Sequence, residues 1–216
     1  MSRTSNTLEI NHSGEPIRLF QSDILEFFTH IHPAVVVVIW LPVAAFFFWR
    51  GAVSLPAGAS WVVLPISFLL GVFLWTLAEY LVHRFVFHYD PKGERMQKFF
   101  FLFHGVHHAQ PQLKTRLVML PVVSIPMATV FFGLFALIFG VLLAAPHWTA
   151  PTFSGFILGY LVYDMIHYAT HHWPMRAGYL KFLKRYHMAH HFKKPNASYG
   201  VSSPLWDMVF GTRPAN

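Results

Sequence analysis

The sequence predicts an all-α integral membrane protein with four transmembrane helices and a cytosolic helical cap. Three observations lead there. Charged residues make up only 12% of the 216-residue chain, about half the ~25% usual for a soluble domain. Hydrophobic residues reach 55%, more than so short a chain could hide in a soluble core, because small domains expose most of their surface. The basic residues, finally, fall almost entirely on one side of the apolar stretches.

The first 30 residues are polar and mixed in charge, without the apolar core of a cleavable signal. Residues 1–33 are read as an N-terminal cytosolic segment and 34–216 as one membrane domain. Spans are expected at about 34–49, 61–82, 117–145 and 152–167. A span needs about 20 apolar residues, so the first and fourth are short unless their flanks contribute. Pro121 and Pro126 interrupt the third. Asp90-Pro91-Lys92-Gly93-Glu94 reads as a turn after the second helix, and 195–200 as a loop. Trp40, Trp49, Trp61 and Trp148 fit an interfacial aromatic belt.

With the N-terminus in the cytosol, the outer loops are 50–60 and 146–151. Of sixteen Lys and Arg, only Arg50 falls in them. Two precede the first span, six lie between Arg84 and Arg116, and seven between Arg176 and Arg213. That is a strong positive-inside pattern, and it explains the net charge of +7 better than nucleic-acid binding does. It places both long polar segments, 83–116 and 168–216, on the cytosolic face as the cap. Lys184 and Arg185 there could attract anionic lipid heads or an acidic electron donor.

Cysteine is absent, which excludes disulfides, thiolate metal sites and cysteine nucleophiles. Any metal must be held by nitrogen or oxygen. Fifteen residues are histidine, and eleven cluster in the two cap segments and at the adjoining end of the fourth span. They read His83-x₄-His88, His104-x₂-His107-His108, His167-x₃-His171-His172 and His187-x₂-His190-His191. Positions i, i+3 and i+4 share a helical face, so His104, His107 and His108 project together, as do His187, His190 and His191, and as do His167 and His171. His172 is rotated about 100° further and is set aside. His83 and His88, five apart, do not fit one α-helical face. Either the helix breaks between them or they approach a site from two sides.

Ten candidate ligands remain: His83, His88, His104, His107, His108, His167, His171, His187, His190 and His191. Ten imidazoles suit two ions of the kind nitrogen donors bind well. Without a metal they would leave many buried polar groups unpaired. A carboxylate-bridged centre would need Glu-x-x-His repeats, and none exists here. The isolated His12, His30, His32 and His147 are read as ordinary surface or core histidines. Glu79 and Asp164 are acids in or at the end of apolar helices, where charge is costly and usually functional. With Tyr163, they are candidates to orient ligand histidines through the second ring nitrogen.

These motifs resemble the fatty acid hydroxylase superfamily, which includes sterol desaturases and fatty acid 2-hydroxylases. The resemblance runs from about Leu77 to Thr212 and is nearest the fatty acid 2-hydroxylases. It rests on HRFVFHYDPKG, LFHGVHHAQPQLKTRLVMLP, YDMIHYATHHW and LKRYHMAHHFKKPNASYGVSSPLWDMVFGT. It implies a dimetal centre held by the ten histidines. The metal would be iron functionally, and zinc can replace it in purified protein. It further implies that O₂ and external electrons hydroxylate the carbon next to an acyl carbonyl, in a free acid, ceramide or another lipid. The alternatives are sterol, carotenoid or other lipid oxidation by the same superfamily. A histidine-rich metal transporter is disfavoured, because the spans carry few polar ligands.

Eukaryotic members carry an N-terminal cytochrome b5 domain with a His-Pro-Gly-Gly motif. Here His32-Pro33 is followed by Ala34-Val35. The expected partner is therefore a separate electron donor, cytochrome b5-like or a ferredoxin with its reductase. The short form points to a bacterial inner membrane, or to the endoplasmic reticulum membrane if the source is eukaryotic.

Overall fold

The computed structural model describes residues 10–11 and 14–213; His12 lies outside them. Among these residues every regular element is helical. In chain order they are α1 (Asp23–Phe27), α2 (Pro33–Val53), α3 (Val63–Leu81), α4 (Glu94–Phe100), α5 (Val106–Ala109), α6 (Pro121–Phe135), α7 (Thr149–His172), α8 (Gly178–Phe192) and α9 (Leu205–Val209). Three π-helical turns interrupt this order, at Val82–Phe87, Phe101–Gly105 and Ala136–Leu142. The chain divides into two compact units.

The first unit comprises His32–Glu79 and Val118–Met165. Three helical stretches among the described residues are long and apolar enough to cross a membrane: Pro33–Val53, Val63–Phe87 and Pro121–Leu142. Their outward residues are large and apolar, Val38, Leu69, Val130 and Val141 being 64–72% exposed. Lipid, not water, suits that surface. The first span is longer than the expected 34–49, because His32 caps the Ala34 N–H, Pro33 starts the helix, and the helix continues past Arg50. The third begins at Pro121 rather than 117, because proline lacks the N–H an earlier turn would need and is favoured in the first turn.

The interior of this unit is aromatic. The Trp75 ring meets Phe156 at 5.1 Å, Tyr160 at 5.3 Å and Tyr163 at 5.5 Å. α3 and α7 cross where glycines let their backbones touch: a Cβ on Gly71 would lie 1.9 Å from the Thr152 carbonyl oxygen, and one on Gly155 would lie 1.9 Å from that of Phe68. From Pro151 to Asp164, α7 is buried except at Leu158 and Val162. Protein surrounds it, so it needs no lipid-facing apolar surface, and its hydropathy is correspondingly lower. Trp40 is not an interfacial residue as expected. It is 4% exposed and its indole N–H donates to the Ser124 hydroxyl at 3.2 Å. Trp49 and Trp61, at 55% and 68% exposed, keep the belt reading.

The second unit comprises the segment up to Ile31, Tyr80–Leu117 and Ile166 onward. It contains all eleven clustered histidines. The N-terminal segment is not a separate piece but a strap laid along residues 109–116. Asn11 N–H donates to the Ala109 carbonyl, and Ile31 N–H to that of Thr115, each at 2.8 Å. The buried Gln110 side chain accepts from Ile17 N–H and donates to the Glu15 carbonyl. Arg116 is no lipid-flanking charge. It is buried and pairs with Glu26, with further hydrogen bonds to Thr29 and the Ile17 carbonyl.

Burial alone would raise the Glu26 carboxyl, but the N–H groups of Phe20 and Leu19 and the Arg116 guanidinium hold it below the usual carboxylate range. A carboxyl lowered on folding stabilises above its unfolded pKa, and that stability is lost as pH falls through the lowered folded value. Acidification below the ordinary glutamate range should therefore loosen the strap. At neutral pH, Glu26→Ala leaves a buried guanidinium unpaired and should cost about 3–5 kcal/mol. Thermal unfolding in detergent measures the second effect, and amide exchange at residues 109–116 the first.

Candidate metal centre

The local backbone decides where each histidine points. His83 and His88 are brought onto one face by the π turn Val82–Phe87, whose wider ring closes with His88 N–H donating to the His83 carbonyl at 3.1 Å. In an i→i+5 turn, residues five apart are stacked neighbours. The expectation that this pair must straddle a break, or reach a site from two sides, is therefore corrected: the helix widens instead. Their Nε2 atoms lie 3.2 Å apart.

Each His-x-x-His-His motif divides its rings between two groups. His104 and His108, one turn apart, stand together, and His107 turns to the other side. His187 and His191 likewise stand together, apart from His190. The first group is His83, His88, His104, His108 and His190; the second is His107, His167, His171, His187 and His191. Within each group the candidate ligand nitrogens lie within 4.8 Å of one another. Neighbouring Nε2 atoms are 2.9–3.2 Å apart in the first group and 2.9–3.0 Å apart in the second. Nitrogens about 2.1 Å from a common ion and at right angles would be separated by about 3.0 Å. The groups adjoin: the His108 and His191 rings stack at 4.1 Å.

The donor set fits a metal on chemical grounds as well. His83 Nδ1 contacts the Tyr199 carbonyl at 2.5 Å, and His190 Nδ1 contacts the Ala197 carbonyl at 2.7 Å. A carbonyl oxygen only accepts, so both Nδ1 atoms carry the proton and both Nε2 atoms present bare lone pairs. Burial pushes His104, His107, His108, His187 and His191 well below the usual histidine pKa, with neighbouring imidazoles adding to it. Burial brings His88 down to about 3 and His190 to about 4. These cap rings are neutral at neutral pH, the state in which imidazole ligates.

The remaining candidates sit elsewhere. His172 belongs to neither group and packs its ring on Tyr168 at 4.7 Å. Asp164 is buried and accepts from Met119 N–H and the Tyr160 hydroxyl. Glu79 and Tyr163 are also buried. Lys184 donates to the carbonyls of Thr170 and Trp173, closing the end of α7, so it is not a free surface cation. His30 meets Thr115 and Arg116. The carbonyl partners of His83 and His190 are what sequence reasoning missed. No periodic signal marks them, although the glycine at 200 and the acid at 207 are visible in the sequence.

Residues 68–212 match the fatty acid hydroxylase family model. The chain belongs to the fatty acid hydroxylase family. It is similar to the dihydroceramide fatty acyl 2-hydroxylase FAH1 of Arabidopsis thaliana, at 38% identity over 91% of this chain and 80% of that one. It is similar to the fatty acid 2-hydroxylase of Homo sapiens, at 37% identity over 91% of this chain and 56% of that one. Among solved structures it resembles full-length scs7p, in which only the hydroxylase domain is visible. That match has a TM-score of 0.80 and 35% identity, over 89% of this chain and 70% of that one. The ten clustered histidines fall inside the segment that matches the family.

His108 and His191 stand where the two groups adjoin. Replacing either with Ala should reduce hydroxylase activity by more than the roughly 10–100-fold that loss of an outer partner costs. Each single variant should also hold less metal per chain than the parent, as read by elemental analysis of protein purified without chelators.

Proposed function

We propose that the chain is a membrane-bound fatty acyl 2-hydroxylase, a monooxygenase whose ten histidines hold two metal ions, iron in the working enzyme. The observation that carries this reading is the pair of five-imidazole groups within the segment that matches fatty acid hydroxylases. The ions, when bound, supply the O₂-activating redox chemistry that a C–H bond next to an acyl carbonyl requires. One oxygen atom enters that bond and the other leaves as water, which consumes two electrons and two protons.

The chain's own residues do the rest. The first group of rings comes from the π turn after α3, from the segment around α5, and from α8. The second comes from α5, α7 and α8. Three helical elements thus contribute to each group. Buried Asp164, Tyr163 and Glu79 are proposed to position ligands or to hold protons near the chemistry, a role supported by acids retained inside apolar helices. Nothing in the sequence has the strand–Gly-x-Gly-x-x-Gly–helix pattern of a dinucleotide site. A separate donor, cytochrome b5-like or ferredoxin with its reductase, is proposed to deliver the electrons. The one-sided basic residues support a cytosolic location for the histidine segments and both termini, with α7 as a fourth, protein-enclosed span.

The substrate is proposed to be a fatty acyl chain, free or amide-linked as in ceramide, since the relatives are named for such substrates. Cells expressing the chain should gain acyl lipids heavier by one oxygen atom, which fragmentation places on the α-carbon. An unchanged acyl pool beside an oxidised sterol or carotenoid would move the enzyme to another reaction of its superfamily.

A further inference from the structure

The loop that follows α8 does more than connect it to α9. Its carbonyls face two imidazoles and its N–H groups face one carboxylate. The Ala197 carbonyl accepts from His190 Nδ1–H, and the Tyr199 carbonyl accepts from His83 Nδ1–H. On the other side stands Asp207, which is fully buried. It accepts from Tyr199 N–H at 2.9 Å, from Gly200 N–H at 2.7 Å and from the Thr212 hydroxyl at 2.7 Å. Thr212 closes the arrangement, its carbonyl accepting from Ser198 N–H at 3.0 Å.

The backbone is specialised for this. Ser198 holds a positive φ of 63°, a conformation a serine adopts only where its surroundings compel it. Gly200 has no room for a side chain: a Cβ there would lie 2.0 Å from the Ser203 carbonyl and 3.0 Å from Asp207 Oδ2.

The connectivity forms one continuous chain and one positional link. One runs from Asp207 through the 199–200 peptide to His83, since that peptide's N–H meets the carboxylate while its carbonyl meets the imidazole. The other is a positional link: the Thr212 hydroxyl donates to Asp207, and the Thr212 carbonyl holds the 197–198 peptide whose own carbonyl meets His190. Linked hydrogen bonds polarise one another in a low-dielectric interior, so the carboxylate's charge reaches His83 without touching it, while at His190 the link through Thr212 fixes position only.

Both rings belong to the first group. In the second group, Nδ1 of His107, His187 and His191 is buried and has no hydrogen-bond partner. Those three rings of the second group lack the carbonyl contact that His83 and His190 have.

We propose that Asp207 is a positioning residue for the first centre alone, holding His83 and His190 through the peptides 197–198 and 199–200 with Nε2 free for a metal. This rests on the dimetal reading above. A residue that merely stabilised the fold would affect both centres equally, and that difference is measurable.

The test compares the full-length protein with Asp207→Asn and Thr212→Val, each purified in detergent. Metal per chain and the affinity of each ion are measured by chelator competition. Asparagine keeps one acceptor oxygen but turns an NH₂ toward a backbone donor, while valine removes one hydroxyl and leaves the Thr212-position carbonyl in place. Asp207→Asn should weaken one ion by about 10–100-fold, the cost of losing an outer partner, and leave the other at parental affinity. Thr212→Val should weaken the same ion less.

Combination with ligand variants identifies that ion. In a His107→Ala background, Asp207→Asn should weaken the ion held by the intact first group by the same about 10–100-fold. In a His104→Ala background it should change nothing. Parental affinity for both ions in Asp207→Asn, or equal loss of both, overturns the proposal. Should Asp207→Asn fail to fold, Thr212→Val is read by the same criterion. A parent chain that never holds two ions overturns the dimetal reading, and this inference with it.

Discussion

Ten neutral imidazoles must be held in protein interior with their Nε2 lone pairs facing one another. A buried polar nitrogen without a partner costs free energy, and here neighbouring nitrogens approach to about 3 Å. Where Nδ1 is fixed as the donor, as in His83 and His190, no proton remains on Nε2 to bridge the gap. The arrangement is tolerable only if something electron-poor occupies the space between, or if the surroundings force the rings together. Much of the histidine-bearing unit serves that second need. Helices set the coarse position of each ring, π turns correct the rotation where α-helical spacing fails, and irregular segments fix the tautomer.

Helical periodicity carried a good part of this. Spacings of three and four in 104–108 and 187–191 place three rings on each helix surface, and the structure divides them between two adjoining groups. The same spacings also explain the division between groups. Residues i and i+4 are offset by about 40° around the axis, while i+3 lies on the far side of i and about 100° from i+4. A motif of this kind is suited to serve two adjoining centres, one with its i, i+4 pair and the other with the ring between. The failure was at His83 and His88, because the argument assumed 3.6 residues per turn throughout. Nothing in Val82–Phe87 announces a π turn. The widening is favoured by what the two rings must reach, which is a tertiary requirement.

Charge was the other place where sequence alone misled. Arg116 and Lys184 are indistinguishable, in a list of basic residues, from membrane-flanking charges. One is buried against Glu26, ninety residues earlier, and the other closes a helix end. The positive-inside argument counts residues by side and does not depend on whether each is solvated. Polar residues within α7, where the fourth span is expected, have a structural reason as well. A helix enclosed by aromatic neighbours can carry Thr152, Ser154 and Asp164, because its polar groups find partners such as the Ala44 carbonyl and Met119 N–H. The more completely a helix is enclosed by protein, the less apolar its own surface needs to be.

What fixes the rings most finely comes from the parts of the chain with no periodicity. The strap at 11–31 clamps residues 109–116, which follow directly on His108. The loop at 197–200 follows α8 and grips His190 and His83. A helix can rotate slightly, and its side chains can change rotamer, without breaking its own hydrogen bonds, so a helix alone specifies a ligand only loosely. Segments whose backbone groups are consumed by specific partners, such as the Tyr199–Gly200 peptide between Asp207 and His83, have no such freedom. It follows that the two centres differ in rigidity although their ligands are identical in kind. The centre anchored to Asp207 is held from outside the helices, whereas His107, His187 and His191 of the other take their positions from the helices that carry them.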